Sequence, residues 1–129
     1  MHKIIVTIYK FFLKNISMKK KLYTAIGLMS GTSMDGVDLS IISSDGYEEF
    51  SNIFDDYYEY DNNLKEQLVR LRNIVSTKKD LTQNSEKLRE LERNITLFHA
   101  DAVSQSLKKY NDPIDIVGFH GQTIFHNSK

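Results

Sequence analysis

The chain has 129 residues, and 40% of them are hydrophobic, which is enough for one domain with a modest core. Its 17 basic and 17 acidic residues balance, so the net charge gives no reason to expect a nucleic-acid partner. The absence of cysteine excludes disulfides and thiolate metal sites, and it is typical of a reducing compartment, so we expect a cytoplasmic location.

The N-terminal segment MHKIIVTIYKFFLKNIS, residues 1–17, is separate in character from the rest. A lysine followed by an apolar run resembles a signal peptide, but Lys10 interrupts the run and no small-residue cleavage site follows. The run is too short and too charged for a membrane span, although its apolar residues share one helical face, as in an interfacial helix. We favour Met18 as the true start, with residues 1–17 as a non-native or disordered extension and residues 18–129 as the folded part. On this interpretation we do not expect membrane attachment.

Three apolar segments follow, and they predict a β-meander. We place its strands at residues 22–28, 37–43 and 47–54. Asp45-Gly46, between the second and third strands, is a strong hairpin-turn signal. The segment DDYYEYDNN, residues 55–63, is then predicted to be a surface connection whose tyrosines partly cover the core.

Two amphipathic helices are predicted next. Leu64, Leu68 and Leu71 mark the first, and TKKDLTQNSE (77–86) is predicted to be a polar break. A longer helix from about residue 85 to about residue 110 follows, and Asn111-Asp112-Pro113 ends it. Its predicted buried stripe consists of Leu88, Leu91, Ile95, Phe98, Ala102 and Leu107. A last strand, 114–119, leads into a second small-residue loop, HGQT.

The loop between the first two strands lies in GLMSGTSMDGVD, residues 27–38, where hydroxyls and carboxylates stand among small residues. A nucleophilic serine is one interpretation, because GTSM resembles the loop around the active serine of subtilisin-like proteases. However, the only histidine upstream of Ser33 is His2, and no acid precedes it. Asp35 beside the serine would also oppose the oxyanion that acyl transfer must stabilise. We therefore set the protease interpretation aside.

A phosphate site is the second interpretation of this loop. Gly31 and Gly36 have the spacing of a Walker A loop, but Val37-Asp38 stand where its lysine and hydroxyl residue should be. A β-hairpin turn rich in Gly, Ser and Thr can instead bind phosphate through backbone N–H groups and hydroxyls. Asp35 would then act through Mg²⁺, directly or through water, and Gly36 would permit the turn and a close backbone approach. A plain hairpin turn, with MDG (34–36) chosen for positive φ, is the third interpretation.

The second small-residue loop is predicted to lie at the end of the last strand. Gly121 would let the backbone approach a ligand, and Gln122 and Thr123 can donate to and accept from sugar hydroxyls. A single histidine after a strand more often has a structural role, so the role of His120 stays open. Because ligands of α/β folds commonly bind at strand ends, both loops are predicted to face one cleft.

Together, GLMSGTSMDGVD and IDIVGFHGQT (114–123) resemble the anhydro-N-acetylmuramic acid kinases. The resemblance implies an α/β fold of the actin/hexokinase/Hsp70 type, of which this chain would be an incomplete N-terminal lobe. It implies ATP and Mg²⁺ as cosubstrates and an amino sugar, 1,6-anhydro-N-acetylmuramic acid, as the substrate. The implied reaction couples hydrolytic opening of the anhydro ring to phosphorylation at O6. Its product, N-acetylmuramic acid 6-phosphate, belongs to peptidoglycan recycling.

The resemblance also assigns roles to residues of this sequence. The implied nucleotide site is Gly31, Thr32, Ser33, Met34, Asp35, Gly36, Val37 and Asp38. In it, Gly31 to Ser33 would meet phosphate oxygens and Asp35 would organise Mg²⁺ through water, while Asp38 either shares that role or bonds across the turn. The implied substrate side is His120, Gly121 and Gln122.

One part of the family pattern has no counterpart here. The family's aspartate base lies in a later glycine-rich motif, so we expect the catalytic base beyond the C-terminus. Because phosphoryl transfer needs several converging groups, we expect an N-terminal fragment with little or no activity alone. The alternative is a non-catalytic remnant, or one half of a two-chain kinase whose exposed edge carries apolar surface for missing strands. Full-length relatives imply a homodimer.

Overall fold

The computed structural model of the protein describes residues 21–125. The predicted extension at residues 1–17 lies outside the described residues. The elements in chain order are β1 (Tyr23–Ser30), β2 (Gly36–Ser44), β3 (Phe50–Glu59), α1 (Asn62–Ile74), α2 (Lys78–Gln83), α3 (Ser85–Lys109) and β4 (Ile116–Gln122). None of the helices within the described range is long and apolar enough to cross a membrane.

The strands form one mixed sheet in the order β3-β2-β1-β4. β1 pairs antiparallel with β2, and β2 pairs antiparallel with β3, which confirms the predicted β-meander. β4 pairs parallel with β1 after the helices, so the chain crosses over one face of the sheet before it returns. The combination of a mixed sheet and crossover helices confirms the α/β class.

The core lies between one face of this sheet and the helices. Alternate residues of β1, Ile26 and Leu28, are buried and stand opposite Ile41 and Leu39 of β2. This is the two-residue period of a strand with one buried face. The helices contribute Leu64, Leu68 and Leu71 from α1 and Leu91 and Ile95 from α3 to the same cluster. The predicted stripe of α1 is thereby confirmed.

The third strand differs from its prediction at both ends. It runs Phe50–Glu59 rather than 47–54, so the first five residues of the predicted surface connection belong to β3. The late start has a local cause, because the Asp45 carboxylate accepts hydrogen bonds from three successive backbone N–H groups, at residues 47–49, and holds them in the turn. Two of the three tyrosines cover the core as predicted, since Tyr58 packs against it and Tyr60 is buried within it, whereas Tyr57 is 47% exposed.

Two helix predictions were wrong in part. The predicted polar break contains α2, which begins with a capping box between Thr77 and Asp80. In α3, Leu107 is 39% exposed, whereas Ser106 and His99 are buried. One residue corresponds to about 100° around a helix, so Leu107 points away from the face that Ser106 turns inward. The two polar residues are accommodated because each has a hydrogen-bond partner, Ser106 with Tyr58 and His99 with Ser30.

The last strand begins and ends later than predicted. β4 runs Ile116–Gln122 rather than 114–119, so His120, Gly121 and Gln122 lie inside the strand rather than in a loop after it. The register explains the later end. Leu28 to Ser30 of β1 stand opposite Phe119 to Gln122 of β4, so β4 has one extra residue, and Gly121 at φ 74° lies in this β-bulge.

Candidate functional site

The connection between β1 and β2, residues 31–35, is called the phosphate hairpin below, after the role that the sequence predicts for it. Its tightest point is Met34, which has φ 57° and donates its backbone N–H to the Gly31 carbonyl at 3.3 Å. The Met34 side chain is 1% exposed, so its burial in the core offsets the strain of a positive φ. The predicted positive φ in MDG is therefore present, at its first residue.

Gly36 has a different role from the predicted one. Its φ is not positive, and a Cβ at this position would overlap the Tyr58 carbonyl oxygen and lie 2.6 Å from the Tyr57 hydroxyl. The close approach that requires a glycine is therefore to β3 of the same chain. Val37 is fully buried in the core, while Asp38 is exposed on β2. Buried Val37, like Met34, could meet a ligand only through its backbone.

The acidic residue of the phosphate hairpin is held in a defined position. The Ser33 hydroxyl donates to Asp35 Oδ1 at 2.5 Å, and the Asp35 carbonyl accepts the Tyr60 N–H at 2.8 Å. The hydrogen bond from Ser33 lowers the pKa of Asp35, and the positive charge of Lys65 lowers it further. Asp35 is therefore ionised at neutral pH and carries the oxygen ligand that Mg²⁺ prefers.

Two cations on α1 lie beside the phosphate hairpin. Arg72 donates from Nη1 to the Thr32 carbonyl at 3.3 Å, and Lys65 acts on Asp35 through its charge. They add positive charge next to a loop of backbone N–H groups and hydroxyls, as an anion site requires. The sequence prediction missed both residues, because nothing local connects Arg72 to a loop 40 positions earlier.

The second predicted motif reaches the phosphate hairpin through one side chain. Gln122 donates from Nε2 to the Gly31 carbonyl at 2.8 Å across a sequence separation of 91 residues. The Tyr60 hydroxyl donates to Gln122 Oε1 at 3.4 Å. His120, in contrast, is exposed, and its Nδ1 lies 3.0 Å from the Gly121 carbonyl. The structure therefore brings the predicted phosphate and substrate segments together, and Gln122 rather than His120 makes the contact.

A groove of about 320 Å³ runs between α3 and the end of β4. His120, Gly121 and Gln122 all line it from the strand side, while Glu92 and Thr96 line it from α3. It combines apolar walls with a few polar groups, which is the usual composition of a small-molecule site. All three predicted substrate residues thus share one concave surface, and Gln122 connects that surface to the phosphate hairpin.

A buried pair supports the end of β1 just before the phosphate hairpin. Ser30 Oγ lies 2.7 Å from His99 Nε2, and His99 Nδ1 lies 2.8 Å from the Ile95 carbonyl. Because a carbonyl can only accept, Nδ1 carries the proton and Nε2 accepts from the serine hydroxyl. Burial lowers the pKa of His99, so the ring is neutral. Sequence spacing could have found this residue, since it lies four positions after Ile95 on the buried stripe.

The metal-ligating groups at the phosphate hairpin suit a magnesium ion that binds together with phosphates. Within residues 21–125, no three His, Asp or Glu side chains lie close enough together to hold a metal ion. Mg²⁺ commonly uses one or two carboxylates together with substrate phosphates and water, which matches the single ionised Asp35. The residues fit a metal–nucleotide complex better than a metal held by protein alone.

The mixed sheet, its crossover helices and the β1–β2 hairpin define the class. They form part of an N-terminal lobe of the actin/hexokinase/Hsp70 type. Residues 23–129 match the family described as Anhydro-N-acetylmuramic acid kinase, and the chain belongs to this family.

Three relatives, each named anhydro-N-acetylmuramic acid kinase, show how much of the family protein is present. The Pelagibacter ubique relative is 54% identical over 110 residues, covering 85% of this chain and 29% of its own length. The Rhizobium johnstonii relative is 40% identical over 106 residues, covering 80% and 28%. The Brucella suis relative is 42% identical over 109 residues, covering 79% and 28%. The chain therefore spans less than a third of the length of these relatives.

Proposed function

We propose that this chain supplies the phosphate-binding hairpin and part of the sugar-binding groove of an ATP-dependent kinase. The proposed substrate is 1,6-anhydro-N-acetylmuramic acid, opened by hydrolysis and phosphorylated at O6, in the cytoplasm. The observation that carries the proposal is the contact from Gln122 to the Gly31 carbonyl, since it joins a phosphate loop to a sugar-sized groove. The names of the relatives support the substrate class.

Some residues of the chain would stabilise the charge of the nucleotide, and others would position the two substrates. Backbone N–H groups at 31–33 would bind phosphate oxygens while the Ser33 hydroxyl holds Asp35, and Arg72 and Lys65 would add positive charge. Asp35 would hold Mg²⁺, which in such kinases neutralises charge on the transferred phosphoryl group. His120 and Gly121 would contact the sugar in the groove. We place the aspartate base that activates water in the part of the family protein that this chain does not span.

A binding experiment with a matched control tests the nucleotide part of the proposal. MgATP binding to the 129-residue chain is measured by calorimetry for the wild type, Asp35→Asn and Asp112→Asn. We expect Asp35→Asn to weaken MgATP binding on the order of tenfold, the loss of one charge-assisted contact, and to leave binding of metal-free ATP less affected. The exposed Asp112, outside the hairpin, serves as the control. Equal MgATP affinity in all three proteins would refute the assigned role of Asp35.

A turnover assay tests the proposed division between this chain and the rest of the kinase. Phosphorylated sugar is measured after the chain is mixed with MgATP and the anhydro sugar, with the Pelagibacter ubique relative as the positive control. We expect no turnover by the isolated chain, because the base and the opposing lobe must converge on the reacting atoms. Turnover at a rate comparable with the full-length relative would overturn this expectation.

A second candidate role, one half of a two-chain kinase, is favoured by the outer edge of the sheet. β4 is an edge strand in the described part of the chain, and Val117 and Phe119 on it are 61% and 53% exposed. Such apolar exposure on an unpaired edge is typical of a surface that another segment covers. Restored turnover on adding the remaining C-terminal part of the Pelagibacter ubique relative would support this role. Continued inactivity of the mixture would favour a non-catalytic remnant.

A further inference from the structure

We propose that Gln122 is a positioning residue, which holds the phosphate hairpin in its binding geometry through the Gly31 carbonyl. The inference rests on the proposed function of that hairpin. It gives Gln122 a role that differs from direct contact with the sugar. The supporting observations are the bulge in β4, the hydrogen bonds of the Gln122 amide, and the way Tyr60 closes the opposite end of the hairpin.

The bulge determines where Gln122 stands. In an unbroken parallel register, the residue opposite Ser30 would be Gly121, which has no side chain to reach the loop. The extra residue in β4 places Gln122 opposite Ser30 instead, one position before the carbonyl that its amide contacts. Gly121 adopts φ 74°, a conformation that a side chain would disfavour. Bulges that re-aim a side chain are common beside functional sites, and here the re-aimed side chain is Gln122.

The amide of Gln122 is engaged with the protein at both ends. Its Nε2 donates to the Gly31 carbonyl at 2.8 Å, and its Oε1 accepts from the Tyr60 hydroxyl at 3.4 Å. Tyr60 is 3% exposed, and its ring meets Phe98 edge to face at 4.9 Å between centroids. Gln122 is therefore tied to a rigid part of the core, which suits it to fixing a loop.

Tyr60 also holds the far end of the phosphate hairpin. Its backbone N–H donates to the Asp35 carbonyl at 2.8 Å, while its hydroxyl contacts Gln122. The first and last residues of the hairpin, Gly31 and Asp35, are thus connected through Gln122 and Tyr60. A change at Gln122 should alter the loop that presents the phosphate donors, even though Gln122 itself lies on β4. Because Gln122 also lines the groove, it connects the two proposed substrate sites.

Hydrogen exchange of the Met34 amide, without nucleotide, tests the coupling directly. This amide donates to the same Gly31 carbonyl that receives Gln122, so it reports on the hairpin. We expect Gln122→Met, which keeps the length but removes the amide, to speed this exchange about fivefold, the usual effect of losing one hydrogen bond. Gln105→Met is the matched control, because it removes an exposed amide whose partner, Asp101, lies on α3. Exchange that is unchanged in Gln122→Met would overturn the proposal.

The variant Gln122→Glu distinguishes a role of Gln122 in hydrogen bonding from a role in filling space. A carboxylate cannot donate to the Gly31 carbonyl, whereas a protonated carboxyl can. At about pH 8 the Met34 amide should therefore exchange faster than in the wild type by the same factor in Gln122→Glu as in Gln122→Met. At about pH 4.5 the ratio of the Gln122→Glu rate to the wild-type rate should return toward one. A ratio that does not change with pH would contradict the positioning role.

Nucleotide binding is measured separately on the same proteins. We expect Gln122→Met to weaken MgATP binding about fivefold relative to Gln105→Met, as the hairpin loses its fixed geometry. Because the exchange measurement contains no nucleotide, it decides the inference even if the wild-type chain does not bind MgATP. Failure of wild-type binding would count against the proposed function, whereas unchanged Met34 exchange would count against the role of Gln122.

Discussion

The buried pair of His99 and Ser30 makes the stability of the fold depend on pH. Burial lowers the pKa of His99, so the folded state holds the ring neutral while the unfolded chain protonates it near the ordinary value. The unfolded state then binds more protons below about pH 6.5, and folding stability must fall as the pH falls. The carboxylates whose pKa is lowered in the folded state affect stability only at lower pH. Their stabilising contribution is lost only when the pH approaches the ordinary carboxyl pKa of about 3.9.

The size of this effect has an upper limit. If one histidine stays neutral in the folded state, the free energy of unfolding can fall by about 1.4 kcal/mol between about pH 7.5 and about pH 5.5. The protonated ring would also be unable to accept the Ser30 hydroxyl at Nε2, where the structure shows 2.7 Å. His99 is 3% exposed, so little solvent reaches the ring to relieve the charge. We therefore expect the stability to fall with pH across this range, by no more than this limit.

Urea unfolding, followed by circular dichroism across this pH range, measures the effect. His99→Gln removes the titrating group and keeps an oxygen that can accept the Ser30 hydroxyl. His120→Gln is the matched control, because it removes an exposed histidine. We expect the pH dependence to be reduced in His99→Gln and retained in His120→Gln. An identical pH dependence in His99→Gln and the wild type would refute the reasoning.

Two further predictions concern the scaffold of the site. Gly36→Ala should destabilise the fold by about 1–3 kcal/mol, measured by thermal unfolding, because the new Cβ would overlap the Tyr58 carbonyl. Gly27→Ala is the control and should have a smaller effect, because a Cβ at Gly27 would have no atom within 4 Å. A loss in Gly27→Ala as large as in Gly36→Ala would show that the contact with β3 is not the cause. Thr77→Ala should remove the capping box of α2 and destabilise this helix by about 1 kcal/mol. The loss is measured as faster hydrogen exchange of the amides of α2. The exposed Thr82 is the matched control, and equal exchange in Thr77→Ala and Thr82→Ala would contradict the assignment.

Strongly periodic segments could be predicted from the sequence alone. The leucines of α1 recur at helical spacing, and β1 and β2 are apolar segments in which buried residues alternate with more exposed ones. The weaker predictions failed where a local signal competed with tertiary packing. In β3, Asp55 and Asp56 are typical of a connection, yet the strand continues through them because Tyr58 packs on the core. Tertiary packing thus outweighed a polar composition.

The motifs supplied candidate residues for the site, but not their contacts. Gln122 was predicted to face the sugar, and it lines the groove, but its amide also contacts Gly31, 91 residues away in sequence. His99 and Ser30 are 69 residues apart, and Arg72 reaches Thr32 across 40 residues. Such contacts depend on how helices and strands are placed in space, which local periodicity does not specify. The bulge at Gly121 is a further example, since a one-residue change of register reverses which face a side chain occupies.

The most direct test of the central claim is the backbone amide NMR spectrum of the chain during titration with MgATP. The claim is that the phosphate hairpin, residues 31–35, binds the phosphates, so we predict shift changes concentrated at those amides, with weaker changes when AMP replaces ATP. The Gln122→Met protein should show smaller changes at the same amides. Shift changes that avoid residues 31–35, or that are equal for ATP and AMP, would contradict the account.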